Sequence, residues 1–90
     1  MILMRLSKLI QSISKDIEII DSFTKESFYG VDIDYVAFKI GSHYFLVSKS
    51  TFYVLTEQTP DSSMDITPPI AYSRSGLTKE IKRLEAIYGN

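Results

Sequence analysis

The sequence contains no cysteine and a single histidine, His43, among its 90 residues. The absence of cysteine excludes disulfide bonds, thiolate nucleophiles and cysteine-ligated zinc, and it fits a reducing compartment. Charged residues interrupt the apolar segments, so no run is long enough to insert stably in a membrane. Arg5 and Lys8 also break the apolar stretch that a secretory signal would need. We therefore expect a cytoplasmic protein.

Length and composition indicate a single small globular domain spanning residues 1–90. Hydrophobic residues make up 44% and charged residues 23%, which argues against disorder. A chain of this size buries only roughly 60–65% of the surface exposed when unfolded. Burial against a second subunit or a partner would add stability. The net charge of −1 gives no general attraction to nucleic acid.

The N-terminal segment has the periodicity of an amphipathic helix. Its apolar residues recur at intervals of three and four and form one stripe. Beyond residue 15 the pattern has two interpretations, because Ile17-Glu18-Ile19 also alternates with the period of a strand. Residues 16–23 are thus either the end of the helix or a strand. The stripe consists of Leu6, Leu9, Ile10, Ile13, Ile17 and Ile20.

The centre of the chain predicts an antiparallel hairpin. Two β-branched and aromatic runs, Tyr35–Ile40 and His43–Ser48, are separated only by Gly41-Ser42, and Gly at the first loop position suits a tight turn with positive φ. The loop sets Ile40 opposite His43, Phe38 opposite Phe45 and Val36 opposite Val47. A third strand, Phe52–Thr56, is predicted with Phe52 opposite Val47 and Val54 opposite Phe45. The core face would then comprise Val36, Phe38, Phe45, Val47, Phe52 and Val54.

The last third of the chain predicts a loop, a short strand and a helix. Residues 58–69 contain all three prolines, and Ile70–Tyr72 can form an edge strand. Ser73 or Ser75 can cap the final helix, and Gly89 ends it. The expected fold class is α+β: an N-terminal helix, a three- to four-stranded antiparallel sheet and a C-terminal helix. The apolar stripe of that helix is Leu77, Ile81, Leu84 and Tyr88.

No motif predicts catalysis, a cofactor or a metal. His43 flanks a tight turn and has no acid at a recognisable spacing, so we expect no enzymatic activity. The segment Asp61–Asp65 resembles the start of a calcium loop, but Ile66 replaces the required Gly and Tyr72 replaces the bidentate Glu. We therefore predict no catalytic, cofactor-binding or metal-binding residue.

The second face of the sheet is the most informative feature. An antiparallel sheet packed on one side should be polar on the other. Here the predicted register gives that side three tyrosines and two leucines. One helix could cover each face, the face could bind protein, or its tyrosines could stack on the bases of single-stranded nucleic acid. The predicted interface residues are Tyr35, Tyr44, Leu46, Tyr53 and Leu55.

Nucleic-acid binding is the alternative function. Basic residues collect on the last helix and just before it, at Arg74, Lys79, Lys82 and Arg83. The order helix, three antiparallel strands, helix resembles that of double-stranded-RNA-binding domains. The loop Gly41-Ser42-His43 lacks the proline usual in that family, and the resemblance implies no site.

Protein interaction is the function that these observations favour. Tyrosine is enriched in interface cores, and apolar patches of this size are seldom left exposed to water. We expect a homodimer that binds a protein partner and blocks or tethers it, as a phage or mobile-element inhibitor of a host protein does.

Overall fold

A computed structural model describes residues 5–61 and 64–89. In this part of the chain, two helices accompany one antiparallel sheet of five strands in the order β1-β2-β3-β4-β5. The α+β arrangement is as predicted, and the sheet has one strand more than the expected three or four. The elements are α1 (Arg5–Ile13), β1 (Glu18–Glu26), β2 (Asp32–Ile40), β3 (His43–Lys49), β4 (Tyr53–Gln58), β5 (Ile70–Tyr72) and α2 (Arg74–Tyr88).

The additional strand comes from the segment with two interpretations. Helix α1 ends at Ile13, and residues from Glu18 onward form β1. Ile17 lies just before the strand and is 2% exposed, so it is part of the core. Ile20 lies at a β-bulge and is 47% exposed, so the predicted helical stripe is wrong beyond Ile13. The sequence pattern of this segment fitted both a helix and a strand, and pairing with β2 decides in favour of the strand.

The β2–β3 hairpin has the predicted register. Ile40 pairs with His43, Phe38 with Phe45 and Val36 with Val47. Gly41 has φ +59°, which a residue with a Cβ rarely adopts. A Cβ at this position would also overlap the backbone carbonyl oxygen of Tyr88, because the C-terminal end of α2 lies against the turn.

The β3–β4 register differs from the prediction by three residues. Lys49 pairs with Tyr53, and Val47 pairs with Leu55. Because side chains alternate along a strand, this odd shift exchanges the two faces of β4. Leu55, at 6% exposure, packs in the core, whereas Phe52 lies in the turn and is 59% exposed. The predicted core positions of Phe52 and Val54 are therefore wrong.

Both helices pack on the same face of the sheet. Each contributes buried residues to one cluster that also includes the inward side chains of β2, β3 and β4. The arrangement with one helix on each face is therefore wrong for residues 5–61 and 64–89. The buried hydrophobic residues are Leu6, Ile10, Ile17, Val36, Phe38, Ile40, Phe45, Val47, Leu55, Leu77, Ile81 and Leu84.

The C-terminal elements follow the prediction. Ile70–Tyr72 forms the short edge strand β5, and the hydroxyl oxygen of Ser73 accepts a hydrogen bond from the backbone N–H of Gly76 at 3.2 Å. This bond satisfies one of the unpaired donors at the start of α2. Gly89 ends α2.

Neither helix among the described residues has the length and apolarity needed to cross a membrane.

Candidate interaction surface

The sheet face opposite the helices carries a band of apolar and aromatic side chains. We call this the outer face and define it by six residues contributed by β1, β2, β3 and β4. All six are half-buried by their neighbours, although neither helix covers them. The residues of the outer face are Phe23, Tyr35, Ala37, Tyr44, Leu46 and Val54.

An aromatic pair forms one end of the outer face. Phe23 lies opposite Tyr35, with ring centroids 5.1 Å apart and planes inclined by 11°. Stacked rings of this kind stabilise a pair by about 0.5–1.5 kcal/mol beyond area burial. Lys25 Nζ lies 5.4 Å from the Phe23 ring centre, and Lys39 Nζ lies 5.6 Å from that of Tyr44. Basic side chains thus line an aromatic surface.

Two of the five predicted interface residues are not on this face. Tyr53 packs against the core and Leu55 is buried within it, because the observed register places both on the helix-covered side. The prediction that they share a surface with Leu46 is therefore wrong. Thr56, not Tyr53, lies opposite Leu46, so the β4 part of the outer face is more polar than predicted.

Phe23 belongs to the outer face, whereas Tyr53 and Leu55 do not, and the sequence did not lead us to predict it. The alternation of Asp21, Phe23 and Lys25 was the available signal, but the strand alternative predicted for residues 16–23 ended at Phe23. The strand continues to Glu26 and places Phe23 beside Tyr35. Three of the five predicted interface residues, Tyr35, Tyr44 and Leu46, do lie together on the outer face.

A second group of exposed apolar residues lies at one end of the sheet. Phe28 and Tyr29 in the β1–β2 turn are 97% and 88% exposed, and their rings meet edge to face at 5.5 Å. The β3–β4 turn ends the sheet on the same side, where it presents Phe52. Neither turn contributes to the hydrophobic core. This end of the sheet therefore extends the apolar surface beyond the outer face.

The single histidine has an acidic partner that sequence spacing did not indicate. His43 Nδ1 lies 2.9 Å from Glu57 Oε2, and the imidazole stacks on Tyr88 with centroids 3.6 Å apart. Strand pairing brings Glu57 next to His43, since β3 and β4 run antiparallel. The group connects the end of the sheet to the C-terminal turn of α2. It lies on the helix-covered side, away from the outer face.

The four basic residues of the nucleic-acid alternative are exposed on α2. Because α2 packs on the helix-covered side, the sheet separates these residues from Tyr35 and Tyr44. Arg83 is also engaged by Glu80 through two hydrogen bonds of 2.8 and 2.6 Å. The predicted basic set of Arg74, Lys79, Lys82 and Arg83 therefore forms no joint surface with the outer-face tyrosines.

The Glu80–Arg83 pair perturbs the ionisation of its neighbours. Hydrogen bonds from Arg83 lower the pKa of the Glu80 carboxyl group. Burial raises the pKa of the Tyr72 hydroxyl, and the Glu80 carboxylate raises it further. These shifts reflect an ion pair within α2 that lies near Tyr72 of β5, and its i,i+3 spacing is typical of pairs along one helix.

A cleft of about 570 Å³ opens between the α1–β1 connection and the C-terminal half of α2. Acidic and basic residues line it together, including Glu18, Lys82 and Glu85. One Glu85 carboxylate oxygen is buried there without a hydrogen-bond partner in the described part of the chain. Residues 5–61 and 64–89 contain no group of three His, Asp or Glu side chains placed to hold a metal ion.

Comparisons with models of protein families, with curated proteins and with solved structures found no match to this chain.

Proposed function

We propose that this chain is a small, non-enzymatic protein-interaction domain that binds a protein partner through its outer face. The observation that carries the proposal is the placement of both helices on one side of the sheet. That placement leaves Phe23, Tyr35, Tyr44 and Leu46 without cover from either helix. Half-buried aromatic and aliphatic side chains on a sheet can dock a complementary surface at a low cost in side-chain entropy.

The composition of the outer face defines the partner's chemistry. Apolar and aromatic groups occupy its centre, while Asp21, Lys25 and Lys39 stand at its rim. A protein surface with an apolar centre and charged groups of both signs at its rim would match this arrangement. Such binding can block a partner's own contact site or tether it, as an inhibitor of a host protein does.

We further propose that the domain is a homodimer. The alternative of nucleic-acid binding is not favoured, since its predicted basic residues on α2 lie on the other side of the sheet from the outer-face tyrosines.

The experiment is affinity capture from the host with wild-type protein and two variants. Leu46→Asp places a charge at the centre of the outer face. Ile87→Asp is the matched control, because Ile87 is 55% exposed on α2, on the other side of the sheet. We expect a specific protein to be captured by the wild type and by Ile87→Asp and lost with Leu46→Asp. Circular dichroism should show that all three proteins are folded.

Two results would contradict the proposal. Equal capture by Leu46→Asp and the wild type would show that the outer face does not carry binding. Unfolding of the Leu46→Asp monomer, while Ile87→Asp stays folded, would show that the outer face is part of the core.

A further inference from the structure

The free backbone edge of β1 is a second surface, which borders the outer face at Phe23. β1 pairs only with β2, so one side of its nine residues has no neighbouring strand in the described structure. The opposite edge, β5, has only three residues. A long exposed edge offers its backbone N–H and C=O groups to another strand.

The β2–β3 hairpin determines which backbone groups of β1 are free. Its two-residue loop makes Ile40 and His43 a hydrogen-bonded pair, and such pairs alternate along an antiparallel ladder. The even-numbered residues of β2 therefore bond to β3 and the odd-numbered residues to β1. Since Tyr35 pairs with Phe23, the backbone of Phe23 bonds inward to β2. The backbone groups of Ser22 and Thr24 consequently point outward.

One hydrogen bond agrees with this assignment. The backbone N–H of Ser22 donates to the Asp21 carboxylate at 2.9 Å, as expected for an N–H that faces away from the sheet. Asp21 thus satisfies an edge donor within the single chain. Lys25 similarly lies over the Phe23 ring. In a dimer, the groups that make these two contacts can contact a second strand instead.

We propose that two copies of this chain associate through β1, antiparallel and centred on Phe23. In this arrangement Ser22 lies opposite Thr24 of the second copy, so that outward N–H and C=O groups meet. Phe23 faces its own counterpart, and Asp21 faces Lys25 on both sides of it. Opposite charges directly across an antiparallel pair are stabilising, and like charges are destabilising.

The charge pattern distinguishes this register from its neighbours. A pairing centred on Ser22 would set Glu18 opposite Glu26, and one centred on Thr24 would set Phe23 opposite Lys25. Only the arrangement centred on Phe23 gives two complementary ion pairs. Its two-fold axis is perpendicular to the sheet, so the two outer faces join across the Phe23 pair. The inference rests on the homodimer proposed above and deepens it, since it specifies the strand edge and the register through which the two copies pair.

The first test uses a proline substitution at the edge. Thr24→Pro removes an outward N–H and adds a ring there, while the bonds between β1 and β2 are retained. Thr24→Val is the matched control, because both variants lose the Thr24 hydroxyl bond to Asp34. By sedimentation equilibrium, we expect the wild type and Thr24→Val to dimerise and folded Thr24→Pro to remain monomeric. A monomeric wild type, or dimerisation by Thr24→Pro as strong as that of the wild type, would overturn the inference.

The second test examines the register by charge exchange. Asp21→Lys and Lys25→Asp should each weaken the homodimer by about tenfold or more, equivalent to about 1.4 kcal/mol. Mixing the two variants should restore a heterodimer, since each Lys then faces an Asp. Failure to restore it would overturn the register centred on Phe23.

The outer-face variant separates this inference from the proposed function. Leu46→Asp should dimerise like the wild type, because Leu46 is on β3 and not at the edge. Dimerisation lost with Leu46→Asp and kept with Thr24→Pro would overturn edge pairing while supporting an outer-face contact.

Discussion

The alternation of side chains along β4 gives the most direct test of the fold. Leu55 is 6% exposed and lies opposite Val47 in the core, while Val54 faces the other way on the outer face. Truncation of a buried Leu to Ala costs about 2–5 kcal/mol, because transfer energy is lost and a cavity remains. We therefore expect Leu55→Ala to lower the free energy of unfolding by about 3 kcal/mol. Val54→Ala should lower it by less than about 1 kcal/mol.

These amounts are large relative to the whole protein. A domain of 90 residues has a total stability of about 5–14 kcal/mol at roughly 0.05–0.15 kcal/mol per residue. At about 4–8 °C per kcal/mol, Leu55→Ala should lower Tm by about 12–24 °C. Urea unfolding followed by circular dichroism, at one fixed protein concentration, gives both free energies. The denaturant slopes should be equal, so that midpoints compare stability alone.

A reversed order would refute the reasoning. If Val54→Ala cost as much as Leu55→Ala or more, β4 would present Phe52 and Val54 to the core. That is the register predicted from the sequence, three residues away from the observed one. Equal costs near zero for both would mean that β4 is not packed against the helices at all.

Two further predictions concern a turn and an ion pair. Gly41→Ala should destabilise the fold more than Gly30→Ala. Both positions have positive φ, but only a Cβ at Gly41 would overlap the Tyr88 carbonyl oxygen. Chemical denaturation of the two variants measures the difference in their unfolding free energies. Glu80→Gln should cost about 0.3–0.5 kcal/mol at neutral pH. Arg83 lowers the folded-state pKa of Glu80, so this stabilisation is present above the ordinary Glu value of 4.5 and is lost as the pH falls through the lowered pKa. Denaturation across a pH series should show that the difference in unfolding free energy between the wild type and Glu80→Gln disappears in acid. A difference that grows in acid would contradict the role given to the Glu80–Arg83 ion pair.

Local signals in the sequence were sufficient for the β2–β3 hairpin and for α2. The Gly41-Ser42 loop allows only one register, because a two-residue connection leaves no slack. Ser73 and Gly89 mark the bounds of α2 through backbone hydrogen bonding that depends only on nearby residues. These features involve contacts within a few positions along the chain, which is why they could be predicted.

Features set by packing could not be predicted in the same way. Phe52 and Val54 are as apolar as Tyr53 and Leu55, so hydrophobicity alone does not choose the face of β4. The choice depends on the length of the β3–β4 turn, which comprises residues 50–52. The pairing of His43 with Glu57 follows from that register, and so does the loss of Leu55 from the predicted interface. Periodicity likewise cannot tell on which face of the sheet a helix packs.

The order of the strands also has a consequence for folding. Each strand pairs with its immediate neighbour in the sequence, so the sheet can assemble hairpin by hairpin with little loop-closure entropy. Helix α2, by contrast, is the last of these elements along the chain, and its Leu77, Ile81 and Leu84 are needed to cover the sheet. During synthesis the strands therefore emerge before the helix that shields Phe38 and Phe45. In that interval only α1 can cover the apolar side of the strands, and the part that α2 will cover stays exposed, the kind of surface that chaperones bind.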